Sequence, residues 1–390
     1  MYDFIFQVPT KILFGRNMLN KLPSEIKKYT DNVMLVYGGG SIKKSGLYDK
    51  ITSLLEENAV KYTPFGGVQP NPILDKCKEG IALAKEKKTG LILAVGGGSV
   101  IDTSKLIAAA ACTDADPWDI VLGKVHIKNA LPIGTVLTLS ATGSEMDTSS
   151  VITNTETRQK YGWGSFSVLP KFSVLDPSLT FSVSKYQTAS GTADIMSHTM
   201  ENYFSLGDGC YLQNRLAEGV LKTCIKYAPI AIEKPDDYEA RANLMWAGSW
   251  AINGLLDSGK MTDWSVHAME HELSAYNNIT HGAGLAILTP RWLTHCLNDK
   301  TAPKIAEFGK NVFDIKQTGN VQNDAKSAIK ALCDFFASIG IPAGLSELGY
   351  TKDVDFKEMA EKALARTDGV LHGFIDLKAD DIQKIYEMSL

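Results

Sequence analysis

Short apolar runs and longer segments with helical periodicity alternate along the first half of the chain. Residues 33–37, 91–95 and 132–139 are apolar runs, and each ends in glycine or hydroxyl residues. Helical patterns over residues 46–58 and 100–111 follow the first two runs. Continuous apolar strands that alternate with helices are typical of a parallel sheet covered by helices on both faces. The first half is therefore predicted to form an α/β domain.

The pattern changes after about Asp176-Pro177. Segments rich in Ala, Leu, Met, Lys and Glu continue to the C-terminus, strand signals are scarce, and Gly and Pro separate the helical patterns. At 390 residues the chain is also longer than one compact core usually serves. We therefore expect two domains, an α/β domain over residues 1–185 and an all-helical domain over residues 186–390.

Two Gly-Gly-Gly-Ser sequences stand where a predicted strand ends and a helix begins. Glycine lets the backbone turn sharply and leaves the N–H groups of a helix N-terminus open to a phosphate. Neither sequence matches Gly-x-Gly-x-x-Gly, because Lys43 and Ile101 occupy the third glycine position. A tight turn without a ligand is the alternative. The two turns consist of Gly38, Gly39, Gly40 and Ser41, and of Gly96, Gly97, Gly98 and Ser99.

Hydroxyl side chains follow the third predicted strand, at Thr138, Ser140 and Thr142. Ligands of an open α/β sheet bind at the carboxyl ends of its strands. These hydroxyls could hydrogen-bond the amide or ribose of a cofactor, or they could cap the segment that follows.

Histidines and one aspartate are concentrated in two short windows of the predicted helical domain. Asp194 and His198 are four residues apart, as are His267 and His271, and His281 follows ten residues later. Residues four apart on a helix project from one face. One carboxylate oxygen and three imidazole nitrogens form a site that suits Fe(II), Zn(II) or Mn(II).

Spacing alone leaves that interpretation open. A single Asp–His pair four residues apart is more often a surface pair or a buried, hydrogen-bonded histidine. Two such windows make a metal centre about as good an interpretation as the plain one. Spacing also does not distinguish His267 from His271 as the ligand.

Composition excludes several classes of protein. The net charge of −4 gives no electrostatic reason to expect nucleic acid. The six cysteines are scattered without a Cys-x-x-Cys pair, which favours reduced thiols over a zinc knot or a disulfide scaffold. No signal peptide and no apolar stretch of about 20 residues is found. We expect a cytoplasmic protein without a nucleic-acid or membrane partner.

Six distinctive stretches span almost the whole chain. They are Tyr37-Gly-Gly-Gly-Ser-Ile, Gly96-Gly-Gly-Ser-Val-Ile-Asp102, Ser140-Ala-Thr-Gly-Ser-Glu145, Phe172-Ser-Val-Leu-Asp-Pro177, Gly191-Thr-Ala-Asp-Ile-Met-Ser-His198 and His267-Ala-Met-Glu-His-Glu-Leu-Ser-Ala275. Taken together and in order, they resemble the iron-containing (group III) alcohol dehydrogenase family, especially its butanol dehydrogenase and aldehyde reductase branch.

The resemblance implies a dehydroquinate synthase-like fold, with a Rossmann-like dinucleotide-binding domain, a helical metal-binding domain and a cleft between them. It implies one divalent metal, iron in preference to zinc, held by Asp194, His198, His267 and His281. His271 would then be an unligated histidine near the substrate, a candidate proton relay. A homodimer is also implied, and residues 4–13, which look extended, could supply its pairing strand.

The resemblance also implies cofactor contacts. The second glycine turn would hold the pyrophosphate, and Thr138 and Thr142 would line the nicotinamide side. Asp102 would lie close to the cofactor, although its position also suits a helix-end carboxylate. Asn71, between two prolines, would contact the adenine side, and a plain turn residue is the alternative.

The first turn bears on the choice of nucleotide. Relatives that prefer NAD tend to carry an Asp there, which hydrogen-bonds the ribose hydroxyls and would repel a 2′-phosphate. Here the turn has no acidic residue, offers the Ser41 hydroxyl and is followed by Lys43 and Lys44. The turn therefore predicts NADPH in preference to NADH. The resemblance implies a short-chain aldehyde or primary alcohol, such as butanal or butanol, as the substrate.

Two other functions are alternatives to an alcohol dehydrogenase. An enzyme of the glycerol dehydrogenase or dehydroquinate synthase-like group that acts on a phosphorylated substrate would need a basic pocket, but the basic residues between the metal windows form no tight cluster. A non-enzymatic nucleotide-binding protein would keep the glycine turns and not need His271. Those basic residues are Arg215, Lys222, Lys226, Lys234, Arg241 and Lys260.

Overall fold

A computed structural model describes residues 1–205 and 209–390. The chain divides into two compact units. One, here called the sheet unit, comprises Gln7–Val183 and Asp236–Ser249. The other, the helical unit, comprises Met1–Phe6, Ser184–Pro235 and Trp250–Leu390. Asp236–Ser249 thus groups with the sheet unit, although it lies in the range that the sequence predicts as the helical domain.

Six strands of the sheet unit form one sheet in the order β1-β8-β5-β4-β2-β3, and every neighbouring pair is parallel. Strands β6 and β7 form a separate antiparallel pair. The strands are β1 (Lys11–Phe14), β2 (Asn32–Gly38), β3 (Lys61–Val68), β4 (Leu91–Gly96), β5 (Ile133–Leu137), β6 (Ser149–Asn154), β7 (Gln159–Gly164) and β8 (Phe172–Leu175).

The helices lie in both units. In the sheet unit they are α1 (Leu22–Ile26), α2 (Ser41–Lys44), α3 (Leu47–Glu57), α4 (Leu74–Glu86), α5 (Gly98–Ala110) and α6 (Pro117–Val121). The remaining helices are α7 (Lys185–Tyr203), α8 (Tyr211–Glu233), α9 (Tyr238–Ala251), α10 (Ser265–Asn277), α11 (His281–Cys296), α12 (Ala302–Phe313), α13 (Val321–Ser338), α14 (Phe356–Ala363) and α15 (Ala379–Met388). The predicted class, a parallel sheet followed by a helical region, is confirmed.

Both faces of the sheet are buried, which explains why its strands are continuously apolar. Successive side chains of a strand point to opposite faces. Met34 and Val36 of β2 join one apolar cluster with residues of α4 and α5. Val33 and Leu35 join a second cluster with residues of α1 and α3. This arrangement brings the carboxyl ends of β2, β4 and β5, and the glycine turns, to one edge of the sheet.

Two strands differ from what the sequence suggests. Of residues 4–13, expected to be extended, the strand β1 includes only those from Lys11 onward, and β1 lies at an edge of the sheet. Strand β3 was not predicted, and it contains Pro64, Gly66 and Gly67. Because β3 is the other edge strand, a missing N–H donor is tolerated there. Among the described residues, no helix is both long enough and apolar enough to span a bilayer.

Candidate functional site

Helix α7 presents three polar side chains on one face of its buried surface. Asp194, His198 and Glu201 follow one another at intervals of four and three residues, which stacks them along a single stripe of the helix. All three are buried, and Glu201 is fully so. Polar groups this deep in a helical core require partners on neighbouring elements.

Helices α10 and α11 supply those partners. His267, Glu270 and His271 lie on α10, and His281 is the first residue of α11. The next residue, Gly282, has no side chain for a physical reason: a Cβ there would lie 1.9 Å from the carbonyl oxygen of Ser190 on α7. The glycine therefore lets the start of α11, and His281 with it, approach α7 closely.

The three imidazoles of the predicted metal set surround one carboxylate oxygen. Oδ1 of Asp194 lies 3.7 Å from Nε2 of His198, 4.0 Å from Nε2 of His267 and 3.7 Å from Nε2 of His281. Ligand atoms about 2.0–2.1 Å from a tetrahedral metal are roughly 3.4 Å apart. The structure therefore brings one nitrogen of each predicted histidine to within 4.0 Å of Asp194 Oδ1. His198, however, lies outside the set of donor atoms that are all within 4.8 Å of one another.

Two overlapping groups of three residues bring their possible ligand atoms, one from each residue, within 4.8 Å of one another. One group is Asp194, His267 and His281, and the other is Glu270, His271 and His281. In the second group both Glu270 oxygens already take part in hydrogen bonds, with His281 Nδ1 and with the Ser274 hydroxyl. The first group is the better metal set, and His271 lies beside it, its ring centroid 5.7 Å from that of His281.

Two buried glutamates hold the far nitrogens of these rings, and sequence reasoning missed both. Glu201 pairs with Nδ1 of His267, and Glu270 pairs with Nδ1 of His281. A carboxylate on Nδ1 fixes the tautomer in which Nε2 offers a lone pair, as is usual for metal-binding histidine. The signal was in the spacing, since each glutamate follows a candidate histidine ligand by three residues.

The electrostatics of this cluster suit a cation. Burial, together with the nearby His267, holds the pKa of His198 well below its ordinary value, so its imidazole is neutral as a metal ligand must be. Burial raises the pKa of Glu201 well above its ordinary value. The charged form of this carboxylate is therefore costly without positive charge nearby, and a divalent cation on His267 would supply that charge.

The second glycine turn, Gly96 to Ser99, is closely packed. Gly97 is the N-cap of α5, so the backbone donors of a 13-residue helix begin at this turn. A Cβ on Gly98 would lie 2.3 Å from Cγ2 of Thr142, and one on Gly96 would lie 2.5 Å from Val100. Glycine is therefore required here by packing, whatever the turn binds.

The first turn, Gly38 to Ser41, is open. A Cβ on Gly39 or Gly40 would meet no atom of residues 1–205 or 209–390 within 4 Å, and Gly40 has a φ of 120°, which favours glycine. The helix that follows has only four residues. The ammonium group of Lys43 lies 5.2 Å from the centroid of the Tyr37 ring and 5.1 Å from that of Tyr48, which holds this cation beside the end of β2.

The remaining predicted cofactor residues occupy different environments. The Ser140 hydroxyl oxygen is buried and, within residues 1–205 and 209–390, has no hydrogen-bond partner. Thr142 accepts a hydrogen bond from the Ser144 amide at 3.2 Å, and the Thr138 amide donates to the Gly96 carbonyl at 3.0 Å. Asn71 has a φ of 52°, a left-handed turn conformation.

Asp102 lies within the protein rather than at an open helix end. Its Oδ1 accepts from the Ser144 hydroxyl at 2.6 Å and its Oδ2 from the Val151 amide at 2.9 Å. Burial raises the pKa of Asp102 to about 6. These bonds attach α5 to β6, so the carboxylate has a clear structural task in addition to any cofactor contact.

A buried ion pair beside Asp102 was also missed by the sequence analysis. The ammonium group of Lys105 lies 2.5 Å from Oδ1 of Asp147 and donates to the Ser149 carbonyl at 2.7 Å. Glu145 nearby in sequence accepts a hydrogen bond from the Ser249 hydroxyl at 2.5 Å, and burial raises its pKa to about 6. Nothing in the spacing of these residues indicated that they are buried.

The chain is similar to known proteins along almost its whole length. Residues 9–177 match the family model described as iron-containing alcohol dehydrogenase, and residues 188–390 match the C-terminal model of the Fe-containing alcohol dehydrogenase family. The chain is 51% identical to the NADH-dependent butanol dehydrogenase A of Clostridium acetobutylicum, over the full length of both. It is 39% identical to an NADPH-dependent aldehyde reductase of Escherichia coli, over 90% of each chain.

A solved structure is similar throughout. The NADH-dependent butanol dehydrogenase A of Thermotoga maritima superposes with a TM-score of 0.95 at 38% identity, covering 100% of this chain and 99% of that one.

Proposed function

The chain belongs to the iron-containing alcohol dehydrogenase family, and we propose that it interconverts short-chain aldehydes such as butanal with the corresponding primary alcohols. It is an NAD(P)-dependent oxidoreductase. The observation that supports the proposal most strongly is the ring of three imidazole nitrogens, each 3.7–4.0 Å from one oxygen of Asp194.

Asp194, His198, His267 and His281 would hold one divalent cation, Fe²⁺ in preference to Zn²⁺. The donor set of one oxygen and three nitrogens suits either ion, and His198 is neutral, as ligation requires. When bound, such a cation supplies Lewis acidity toward a carbonyl oxygen. The chain's own part is to hold the four donor atoms at fixed spacing in a buried setting.

The nicotinamide nucleotide, when bound, supplies or accepts the hydride. Gly96, Gly97, Gly98 and Ser99 would bind its pyrophosphate through backbone donors, because they start the 13-residue helix α5. Thr138, Ser140 and Thr142 would contact its nicotinamide and ribose side, and the buried hydroxyl of Ser140 supports this role. Asp102 and Asn71 would contribute from the same unit.

His271 would transfer a proton to or from the substrate oxygen. Its ring centroid lies 6.2 Å from that of His267 and 5.7 Å from that of His281. His271 is therefore close to the four proposed metal ligands but is not one of them. A positioned imidazole of this kind typically contributes about 10²- to 10⁴-fold to a rate.

We propose NADPH as the preferred nucleotide. The support is local: the first turn has no acidic residue, Ser41 offers a hydroxyl, and Lys43 is held beside the end of β2 by two tyrosine rings. The names of the relatives divide, since the butanol dehydrogenases are described as NADH-dependent and the aldehyde reductase as NADPH-dependent. The ratio of kcat/KM for the two nucleotides tests this part separately.

A cytoplasmic homodimer completes the proposal. None of the six cysteines, all within the described part of the chain, forms a disulfide, as is usual in a reducing compartment. Strand β1 lies at one edge of the sheet, where a second copy could pair with it.

A phosphorylated substrate is disfavoured by the ion pairs of two of the six basic residues named above, Arg215 and Lys222. Arg215 pairs with Glu218 at 2.7 Å and with Glu307 at 2.6 Å. Lys222 pairs with Asp314 at 2.8 Å. Cations whose charge is already neutralised do not form the basic pocket that a phosphate needs.

The decisive experiment follows the nicotinamide absorbance of NADPH and of NADH with butanal, using metal-loaded protein and protein treated with a chelator. Loss of absorbance that depends on the metal is the expected result. Metal-loaded, folded protein that consumes neither nucleotide with butanal or its homologues would overturn the proposal and would favour a nucleotide-binding protein without this activity.

A further inference from the structure

Two of the three imidazoles around Asp194 have a glutamate beside the ring nitrogen that faces away from Asp194. A buried glutamate pairs with Nδ1 of each ring, Glu201 with His267 and Glu270 with His281. An ionised carboxylate in this place accepts a hydrogen bond from the Nδ1–H of a metal-binding histidine. The third ring, His198, has no hydrogen-bond partner at its buried Nδ1 in the part of the chain that the structure describes. The two glutamates differ in what their other oxygen does.

The second oxygen of Glu201 faces donors that cannot change role. Its Oε1 accepts from the backbone amides of Val266, at 2.8 Å, and His267, at 3.1 Å. A backbone N–H can only donate. Any side chain at position 201 must therefore present an acceptor to the start of α10, because an N–H facing those amides would leave buried donors opposed to one another.

The second oxygen of Glu270 faces a group that can change role. Its Oε1 accepts from the hydroxyl of Ser274. A hydroxyl donates one hydrogen bond and can also accept, and it rotates to suit its neighbour. Position 270 therefore tolerates either a donor or an acceptor on the Ser274 side.

We propose that Glu201 is a positioning residue that locks His267 in the tautomer whose Nε2 lone pair faces Asp194. Glu270 holds His281 in the same way, but a glutamine at position 270 can take its place. The inference rests on the proposed metal function of these histidines. It predicts that the same substitution, Glu to Gln, has unequal consequences at two positions that are both fully buried.

In Glu201→Gln the amide has one orientation that fits. Its carbonyl must face the two backbone amides, so its NH₂ faces Nδ1 of His267. The imidazole then accepts at Nδ1 and carries its proton on Nε2, where the metal should bind. In Glu270→Gln the carbonyl can still accept from Nδ1 of His281, while the NH₂ donates to a rotated Ser274 hydroxyl.

The test measures metal affinity of the full chain, stripped of metal and then titrated with Zn²⁺ in competition with a chromophoric chelator. Loss of the carboxylate beside a ligating histidine typically lowers affinity about 10- to 100-fold. We expect Glu201→Gln at or beyond the upper end of that range and Glu270→Gln at or below the lower end. Equal losses in the two variants would overturn the proposal.

The absorption spectrum of bound Co²⁺ distinguishes a changed tautomer of His267 from a general loss of structure at the site. With Co²⁺ as the probe, the visible absorption bands of Glu270→Gln should match those of the wild type, while those of Glu201→Gln should change as one nitrogen donor is lost. Glu201→Asp, which keeps two acceptor oxygens and adds no donor, should recover part of the affinity. Glu201→Asp binding no better than Glu201→Gln would contradict the tautomer argument.

A double-mutant cycle covers the case in which Glu201→Gln does not fold. Glu201→Ala should lower Zn²⁺ affinity at least about tenfold in the wild-type chain. It should have little further effect on the much weaker residual Zn²⁺ affinity of a chain that already carries His267→Ala, which the titration measures at high Zn²⁺ concentration. The same loss in both backgrounds would overturn the role assigned to Glu201. Wild-type protein that binds no Zn²⁺ in this assay would instead overturn the proposed function itself.

Discussion

The two candidate binding regions are built in opposite ways. In the helical unit, the site consists of side chains: one carboxylate, three imidazoles and two glutamates behind them, all projecting from α7, α10 and α11. In the sheet unit, the second glycine turn works through the absence of side chains, since a Cβ on Gly98 would collide with Thr142. Substitutions that remove side-chain atoms should therefore damage the site in the helical unit, and substitutions that add side-chain atoms should damage the glycine turn.

Within the sheet unit, the two glycine turns show that identical residues do not imply identical roles. Both read Gly-Gly-Gly-Ser after a buried strand. One starts the 13-residue helix α5 and is tightly packed, and the other precedes the four-residue helix α2 and is open at Gly39 and Gly40. The neighbours of a glycine, and not the motif, decide how much it matters.

The largest expected effect is the loss of a metal ligand. His267→Ala should release the cation, and with it Lewis acidity of several kcal/mol, so activity should fall at least about a thousandfold. Metal content of the purified variant, measured by elemental analysis, checks the cause.

His271→Ala is the matched control on the same helix. It should retain the metal and lose about a hundredfold in kcat, because only the proton relay is removed. If both variants retain the metal equally, the distinction between the two histidines of α10 is wrong.

The next effect comes from adding one carbon atom. In Gly98→Ala the new Cβ would lie 2.3 Å from Thr142, and overpacking of this kind costs about 1–3 kcal/mol. We expect a lower free energy of unfolding and NADPH affinity reduced by about tenfold or more. Denaturant unfolding and fluorescence titration measure the two effects.

Gly39→Ala is the control in the other turn. Its Cβ meets no neighbour within 4 Å in the described part of the chain, so stability should change by no more than about 0.5 kcal/mol. If Gly39→Ala is as damaging as Gly98→Ala, packing is not what distinguishes the two turns.

Sequence patterns predicted the parts of the fold that depend on burial on both faces. The runs at residues 33–37 and 91–95 became β2 and β4 because central strands must be apolar throughout. Strand β3 was not predicted because its proline and glycines are unusual in a strand. Pro64 is tolerated at the edge of the sheet, and Gly66 leaves room for the Tyr37 ring, since a Cβ at position 66 would lie 2.5 Å from that ring. Such requirements come from a neighbouring strand and leave no local pattern.

The candidate site shows the same division. Histidine is rare and its spacing is regular, so Asp194 and the histidines stood out in the sequence as candidates. Spacing left the metal interpretation open, and the ligand set was predicted from the family resemblance. Glutamate is common, so Glu201 and Glu270 did not stand out, although each lies three residues after a histidine. The partners of Asp102 are 42 and 49 residues away along the chain, a distance that no spacing rule covers.

Asp102 gives a test at the border between a binding and a structural role. Its pKa is about 6 in the folded protein against 3.8 for an ordinary aspartate, because it is buried. Between those two values the folded state keeps a proton that the unfolded state releases, so stability should decrease as pH rises from about 4 to about 6. The shift corresponds to about 2–3 kcal/mol.

Asp102→Asn removes this titration and keeps a similar shape. The difference in free energy of unfolding between wild type and Asp102→Asn should therefore change across that pH window and stay constant above it. Parallel profiles at all pH values would show that Asp102 does not titrate in this range. Unchanged NADPH affinity in the variant would assign the residue to structure alone.

The smallest expected effect tests whether the open turn contributes at all. Lys43 lies over two tyrosine rings beside the end of β2, and one exposed charge is worth at most about 1 kcal/mol. Lys43→Ala should lower the ratio of kcat/KM for NADPH to that for NADH by about threefold to fivefold, and the effect should fade at high salt. Lys124→Ala is the control, since that lysine pairs with Asp119 on α6. An unchanged ratio in Lys43→Ala would leave the packed turn as the only glycine turn with a part in nucleotide binding.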